Sequence, residues 1–244
     1  MATKKVVTKT KAVSPVKKAV VSKKLEVSLE KLLETGAHFG HQARRWNPKM
    51  RPFIFGQEDG VHIFDLVKTK ALLEEAIVAL KEAKKAGQVI LFVGTKKQAQ
   101  AKIKELALTL NSPYITQRFL GGTFTNFNEI KKSIRKLADY KAKMAKGEFD
   151  SFTKKEKLLI AREIEDLEKN FSGIANLDKL PDVIFIVDTH REKGAVAESK
   201  KLGIKIVGMV DSNSDPDIDY PIPMNDDAGK AIDYVLDLIK VALS

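Results

Sequence analysis

Basic, imidazole and aromatic side chains are concentrated in one short segment near the start of the chain. Fourteen consecutive residues hold His38, His41, Arg44, Arg45, Trp46, Lys49 and Arg51. Arginine beside an exposed aromatic ring is typical of sites that bind phosphates and stack on unpaired bases. A simpler alternative is that Trp46 and Phe39 fill the core while the arginines face water. We expect residues 36–65 to form a loop that ends in a strand at residues 61–64.

Polar side chains also follow three predicted strands, at the points where those strands end. They are Gly94-Thr95, Asp188-Thr189-His190-Arg191 and Asp211-Ser212-Asn213. Ligands of open α/β sheets bind at the carboxyl edge of the strands. If the strands before Asp188 and Asp211 are neighbours, their carboxylates lie about 5 Å apart and, with His41 or His38, can hold one zinc or magnesium ion. The alternative is that both acids are hydrogen-bonded to the turns that follow them.

The first of these strand ends also resembles an anion site. Gly94, Lys96 and Lys97 stand where a strand passes into a helix N-terminus, and residues 118–126 add an arginine, paired glycines, hydroxyls and an amide. A Rossmann-like enzyme or ligand-binding protein for a sugar phosphate or nucleotide is therefore one hypothesis. Against it, the sequence has no dinucleotide fingerprint, phosphate loop, nucleophile elbow or zincin pattern. A role without catalysis is favoured.

The elements that must position these residues alternate between strands and helices. Apolar runs at residues 88–93, 183–187 and 204–210 predict strands that are covered on both faces. Helical stripes are predicted over residues 66–86 and 192–202. Together they predict an α/β fold, Rossmann-like (flavodoxin-like), with a mostly parallel sheet flanked by helices. The acids and prolines of residues 215–223 predict a rigid polar loop before a last helix.

Residues 126–174 are predicted to form an antiparallel α-helical coiled-coil hairpin inserted into this fold. Apolar positions step by three and four in two sets: Phe127, Ile130, Ile134, Leu137, Lys141 and Met144, then Ile160, Ile164, Leu167, Phe171 and Ile174. Thr153 and Glu156 match a capping box at the start of the second helix. The α/β globular domain then takes residues 25–125 and 175–244, and residues 1–24 form a disordered basic tail.

Positive charge is distributed unevenly along the 244 residues, whose net charge is +11. The first 24 residues contain no acid and several closely spaced lysines, among them Lys4, Lys5, Lys9, Lys11, Lys17 and Lys18. Tails of this kind often bind nucleic acid, and a solubilising leader is the alternative. The absence of cysteine excludes disulfides and thiolate sites, and no apolar run is long enough to span a bilayer. We expect a cytoplasmic protein.

Four long motifs, in the order of the chain, resemble the bacterial form of the small-subunit ribosomal protein S2 family. They are HFGHQARRWNPKMRPFIFG from residue 38, VGTKKQAQ from residue 93, FLGGTFTNF from residue 119 and MVDSNSDPDIDYPIPMNDDA from residue 209. The resemblance covers about residues 25–243. Two features depart from it: the lysine-rich extension is longer than the usual start of the family, and Phe119 stands where tryptophan is expected.

The resemblance implies a structural component of the small ribosomal subunit that binds 16S ribosomal RNA and neighbouring ribosomal proteins and acts in late assembly and translation. It also implies docking of the large multi-OB-fold ribosomal protein, no membrane, no small-molecule substrate and no required cofactor. We expect recognition of RNA shape through its backbone. The expected contacts are the tail lysines, Arg44, Arg45, Trp46, Lys49, Arg51, Lys96, Lys97, Arg118 and Asn126.

Overall fold

The computed structural model describes residues 27–149 and 151–244, so the predicted basic tail lies outside the described residues. The helices are α1 Leu29–Glu34, α2 Leu66–Lys85, α3 Lys97–Leu110, α4 Phe127–Ala145, α5 Lys154–Phe171, α6 Lys193–Leu202 and α7 Gly229–Leu243. The strands are β1 Phe39–Gln42, β2 Ile54–Glu58, β3 Val61–Phe64, β4 Ile90–Val93, β5 Tyr114–Ile115, β6 Val183–Val187, β7 Lys205–Val210 and β8 Tyr220–Pro223. No helix in these ranges is both long and apolar enough to cross a membrane.

Five parallel strands form the main sheet, in the order β5-β4-β6-β7-β8. Every residue of β4 and β6 is buried, as the continuous apolar runs predict for strands covered on both faces. The chain passes from β4 outward to β5 and later returns to place β6 on the other side of β4. The order of the strands therefore reverses between β4 and β6, which is where α/β sheets of this kind bind ligands.

Helices cover both faces of this sheet. Phe92 and Phe185 point to one face, where their rings pack 5.8 Å apart within a core that includes α2, α3 and α7. Leu91 and Ile184 point to the other face, which is covered by α6 and by the base of the α4–α5 hairpin. The α/β, Rossmann-like fold class is thus confirmed. The domain boundaries given above stay a prediction.

A second, three-stranded antiparallel sheet in the order β1-β3-β2 occupies residues 39–64. The prediction of a loop over residues 36–65 is therefore wrong, except for β3. Both missed strands are short, and each contains a glycine, Gly40 or Gly56, next to a register irregularity. Glycine weakens the strand pattern in a sequence, so whether these residues form strands depends on their pairing with β3 in the folded protein.

The prediction of a polar loop over residues 215–223 is also wrong at its end, because β8 pairs there with β7. Its sequence, YPIP, contains Pro221 and Pro223, which cannot donate ladder hydrogen bonds. β8 lies at the edge of the sheet, where a strand needs only one hydrogen-bonded neighbour. Prolines are tolerated in that position, although in the sequence they indicate a loop.

The two helices of the hairpin and the capping box of Thr153 with Glu156 form as predicted. Lys141 and Met144, predicted as seam residues, are exposed, so the seam is open toward the tip, where a lysine at a seam position predicts looser packing. The ammonium of Lys141 instead pairs across the hairpin with Glu168 at 2.7 Å. Tyr140 packs against the apolar cluster near this level, and its hydroxyl donates to Glu163 at 3.0 Å. Apolar packing therefore concentrates at the base of the hairpin.

Candidate functional site

Lys96 fills the position between β4 and β6 where a ligand of an α/β sheet is expected. Its ammonium lies 3.0 Å from Asp188, 2.6 Å from Asp226 and 2.6 Å from Asp227, and the residue is only 8% exposed. Burial by itself lowers the pKa of Lys96, but these carboxylates outweigh it and raise the pKa overall. The lysine thus stays charged, and its three carboxylate partners within the protein occupy the space that a phosphate would need.

His41 joins the same edge from β1. Its Nδ1 lies 3.0 Å from Asp211 at the end of β7, and its Nε2 lies 3.5 Å from Asp227. The hydrogen bond to Asp211 raises the pKa of His41, partly opposed by burial. Burial also raises the pKa of the Asp226 carboxyl well above its usual range, and Asp211 and Asp188 add to this rise.

The sequence-predicted metal ligands are His41, Asp188 and Asp211, and the structure brings only two of them together. The two strands are neighbours as predicted, with Val187 paired to Met209. Asp188, however, turns to Lys96, and its Oδ1 accepts the backbone N–H of Arg191 at 2.8 Å. The residues that could share one ion are His41, Asp211, Asp226 and Asp227. Asp226 and Asp227 were missed, although both lie within the fourth family motif.

A second buried network lies beside Lys96, on the strand end of β4. The hydroxyl of Thr95 donates to the carboxylate of Glu192 and accepts a hydrogen bond from Arg191 at 2.9 Å. Burial raises the pKa of Glu192, although the hydrogen bond from Thr95 and the charge of Arg191 oppose the rise. The polar groups at the β4 end are therefore bonded to one another.

Backbone N–H groups of the glycine-containing loop, residues 118–126, also find their hydrogen-bond acceptor within the protein. Glu198 of α6 accepts the backbone N–H groups of Gly122 at 2.6 Å, Phe124 at 2.9 Å and Thr125 at 3.0 Å. Burial by itself raises the pKa of Glu198, but these hydrogen bonds lower it overall. The loop does form an anion site, and a glutamate that the sequence analysis did not single out occupies it. Arg118 and Asn126 at its two ends are exposed, as are Gly121 and Thr125.

The segment between β1 and β2 presents its cations to solvent. We call residues 43–53 the arginine turn; it consists of two 3-10 turns, Ala43–Arg45 and Pro48–Phe53. Arg44, Arg45, Lys49 and Arg51 are all exposed. Trp46 is half-buried, with its ring 4.9 Å from that of His62, so it neither fills the core nor stands free.

Two of these cations already have partners, and two do not. Arg44 donates to Gln42 at 3.0 Å, and Lys49 pairs with Asp215 at 2.7 Å. The side chains of Arg45 and Arg51 make no hydrogen bond or ion pair with residues 27–149 or 151–244. Lys97 is likewise exposed beside the buried Lys96. Among the described residues, the sequence-predicted RNA contacts are therefore exposed, except for the half-buried Trp46 and the buried Lys96.

The arginine turn is held in place by the loop that follows β7. The hydroxyl of Ser212 accepts the N–H of His41 at 2.8 Å, and the Ser212 carbonyl accepts the N–H of Asn47 at 2.7 Å. Gly40 is needed at this crossing, because a Cβ there would lie 2.9 Å from the Ser212 hydroxyl oxygen. Met50 is fully buried against Phe64 and Val210. The backbone of the turn is thus fixed while its charged ends face outward.

These features define an α/β protein whose ligand crevice is closed by its own ion pairs and whose exposed cations suit a polyanion. A phosphate at the carboxyl edge would meet four aspartates, which argues against a sugar phosphate or nucleotide there. The family known as Ribosomal protein S2 matches residues 32–244.

Curated relatives match this chain over most of its length. The small ribosomal subunit protein uS2 of Coprothermobacter proteolyticus is 48% identical over 218 residues, covering 89% of this chain and 81% of that protein. The uS2 proteins of Roseiflexus sp. and Helicobacter hepaticus are 54% and 49% identical, each over 84% of this chain and 79% and 78% of their own lengths. The chain therefore belongs to the ribosomal protein S2 family. Its role is structural rather than enzymatic, in the cytoplasmic ribosome.

Proposed function

We propose that this protein binds the backbone of 16S ribosomal RNA in the small subunit, with the arginine turn as its main contact surface. The observation that carries the proposal is that Arg45 and Arg51 are exposed and have no partner within residues 27–149 and 151–244. A rigid backbone beneath them limits the entropy lost when the guanidinium groups bind phosphates. Trp46 is partly exposed, and its aromatic ring suits stacking on an unpaired base.

Further contacts extend the same surface type. Lys97, Arg118 and Asn126 are exposed polar groups near the ends of the main sheet, and the tail lysines add charge outside the described residues. Lys96 is excluded from this proposal, because three aspartates surround its ammonium. Neutralising phosphates releases counterions, so affinity is expected to fall steeply with salt.

Neighbouring ribosomal proteins are the second class of partner that we propose, including the large multi-OB-fold ribosomal protein. The tip of the α4–α5 hairpin exposes apolar side chains that water alone solvates poorly: Met144, Phe152, Leu158 and Leu159. These side chains suit a protein neighbour better than an RNA backbone. We further propose a role in late assembly of the small subunit. We also propose that RNA binding requires no cofactor, whether or not the chain holds a structural ion.

The double variant Arg45→Gln/Arg51→Gln tests the arginine turn. Binding of purified protein to small subunits that lack it is measured across a series of salt concentrations. Each lost phosphate contact lowers the salt slope by about one, so a drop of about two is expected, with an unchanged melting temperature. The control, Lys85→Gln/Lys104→Gln, removes the same charge from α2 and α3 and should keep the slope within about one of wild type.

A salt slope of the arginine variant equal to that of wild type, with the control equal to both, would contradict the proposal.

The same titration on a chain without residues 2–24 tests the tail. If the tail lysines contact phosphates, that deletion lowers the slope further while the folded part keeps its melting temperature. An unchanged salt profile would remove the tail from the interface.

A further inference from the structure

Exposed cations follow three neighbouring strands at the carboxyl edge of the main sheet. Lys97 follows β4, Arg118 follows β5, and Arg191 and Lys193 follow β6. β4 lies between β5 and β6, and adjacent strands are about 4.8 Å apart, so the segments that follow them leave the sheet side by side. We call these four residues the cationic rim.

Two contacts show that these segments stay together above the strand ends. The Nε of Arg191 donates to the hydroxyl of Thr95 at 2.9 Å, which joins the segment after β6 to the segment after β4. A Cβ added at Gly194 would lie 3.9 Å from the ring of Phe119, so the start of α6 also packs against the segment after β5. The residues of the cationic rim therefore belong to one surface.

The acids that follow β6, up to the end of α6, are all bonded to other groups. Asp188 pairs with the ammonium of Lys96 at 3.0 Å, and the buried Glu192 accepts the hydroxyl of Thr95. Glu198 accepts three backbone N–H groups of the glycine-containing loop. In contrast, no residue of the cationic rim forms an ion pair with an acid in the part of the chain that the structure describes. The rim thus keeps its positive charge for a molecule outside the chain.

Arg191 has the best-fixed side chain of the rim. Its Nε is held by Thr95, and its backbone N–H donates to the Oδ1 of Asp188 at 2.8 Å. The residue is nevertheless exposed, so its remaining guanidinium N–H groups are available to an external acceptor. Because the side chain is already oriented, less rotamer entropy is lost when it binds.

A phosphate backbone fits this rim better than a protein surface does. No large apolar side chain is exposed in residues 94–97, 116–126 or 188–194, whereas the centre of a protein interface is usually apolar. Phe119 is buried, so it offers no free ring on which a base could stack. Exposed guanidinium and ammonium groups without aromatic neighbours are typical of contacts to phosphate oxygens.

We propose that the cationic rim is a second phosphate-binding surface for ribosomal RNA, in which Thr95 orients the guanidinium of Arg191 before the RNA binds. The inference rests on the proposed function and adds a separate surface to it. The arginine turn is held beside the loop after β7, whereas the rim extends across the ends of β5, β4 and β6. Arg191 and Lys193, which the sequence did not indicate as RNA contacts, thereby join Lys97 and Arg118.

The first test measures binding of the full chain to small subunits that lack it, across a series of salt concentrations. Arg191→Gln removes one phosphate contact, so the salt slope should fall by about one. Arg191→Lys keeps the charge but loses the planar guanidinium and its bond to Thr95. Its slope should equal that of wild type, while its affinity falls at least about tenfold, the effect of losing one hydrogen bond to a charged group.

Lys201→Gln is the matched control for this titration. Lys201 is exposed in the last turn of α6, at the opposite end of that helix from the rim, so its loss removes the same charge elsewhere. The control should match wild type in both slope and affinity. Thermal melting checks that all three variants fold.

A tethered cleavage reagent separates RNA from an acidic protein as the partner. The chain has no cysteine, so His190→Cys places a single thiol beside Arg191, and iron–EDTA attached to it cleaves RNA strands that lie close by. We expect cleavage of 16S ribosomal RNA at a defined position in subunits that carry this variant. Lys201→Cys, the control, should not cleave the same nucleotides.

Three results would overturn the inference. One is a wild-type salt slope for Arg191→Gln, and another is a wild-type affinity for Arg191→Lys, which would mean that Thr95 orients nothing that RNA uses. The third is an absence of RNA cleavage from His190→Cys, which would assign the rim to a protein neighbour.

The variants of the two surfaces also distinguish this inference from the proposed function. A lowered slope in Arg45→Gln/Arg51→Gln with a wild-type slope in Arg191→Gln would remove the rim and keep the arginine turn. The reverse result would keep the rim and contradict the arginine turn. Wild-type slopes in both variants would contradict both proposals.

Discussion

The carboxyl edge of the main sheet and the arginine turn are both rich in charge, but they use it in opposite ways. At the edge, Lys96 is enclosed by three aspartates and has almost no access to solvent. In the turn, Arg45 and Arg51 stand exposed without partners among the described residues. The difference shows that the surroundings of a charged group, more than its residue type, decide whether it is available to bind another molecule.

Two adjacent lysines make this comparison within one dipeptide. Lys96 precedes α3 and turns into the edge, whereas Lys97 begins the helix and is exposed. The sequence offers both as equal candidates for a phosphate. Only the tertiary structure distinguishes the two lysines, because the aspartates that form ion pairs with Lys96 lie about 90 to 130 residues further along the chain.

Removing the charge of each lysine in turn should break the comparison most clearly. Lys96→Met leaves Asp188 and Asp226 buried without a counter-charge, and a loss of about 3 kcal/mol in the free energy of unfolding is expected. Lys97→Met, the matched control, should stay within about 0.5 kcal/mol of wild type. Urea unfolding of both variants measures this difference. Equal stabilities would mean that Lys96 is not the counter-ion of the edge.

The glycine-containing loop is a third region that appears outward-facing in the sequence but is bonded inward. Glu198→Gln replaces a charged acceptor of three backbone N–H groups with an amide, so a loss of about 1 to 2 kcal/mol is expected. The amides of Gly122, Phe124 and Thr125 should then exchange hydrogen faster. Glu165→Gln, on the exposed face of α5, is the control for both measurements. Unchanged exchange at these amides would show that Glu198 does not hold the loop.

The smallest expected effect concerns the pH dependence of the edge. Burial raises the pKa of Glu192 in the folded state above the ordinary value of 4.5, so the folded chain binds this proton more tightly than the unfolded chain. The resulting stability is complete below pH 4.5 and is lost as the pH rises through the folded-state pKa.

Glu192→Gln cannot titrate and serves as the reference. The unfolding free energy of wild type minus that of this variant should therefore fall between about pH 4 and about pH 7. Urea unfolding across this range measures the difference, with Glu165→Gln compared in the same way. A difference that stays constant or grows with pH would mean that the edge imposes no electrostatic cost on Glu192.

The regular part of the fold could be predicted from the sequence, because its signals are local. The strands β4, β6 and β7 are each marked by an apolar run within the strand itself. The end of α6 is marked by Gly203, whose φ of 70° favours glycine at a helix C-cap. β1, β2 and β8 could not be predicted. Glycine and proline weaken their local pattern, and their pairing depends on distant strands.

The candidate site was predictable in its place but not in its membership. Adjacent strand ends correctly indicated that polar groups meet at one edge. Which acid pairs with which cation depends on the conformation of the connecting loops, and residue spacing does not predict that conformation. The sequence analysis therefore grouped Asp188 with His41, whereas in the structure Asp226 and Asp227 are the neighbours of His41 and Asp188 pairs with Lys96. The inward role of Glu198 was missed for the same reason, since it contacts residues more than 70 positions earlier.

The crossing of β1 by the segment after β7 has a consequence for the order of events during synthesis. His41 and Asn47 hydrogen-bond to Ser212, and Ala37 and Gly36 accept hydrogen bonds from Asn225, almost at the end of the chain. Contacts this distant in sequence form late, because a long loop must close before they bring any gain. The cations of the arginine turn leave the ribosome that makes this protein early, yet they are among the last to be fixed in space. A nascent chain carries the charge for RNA binding well before it has the shape.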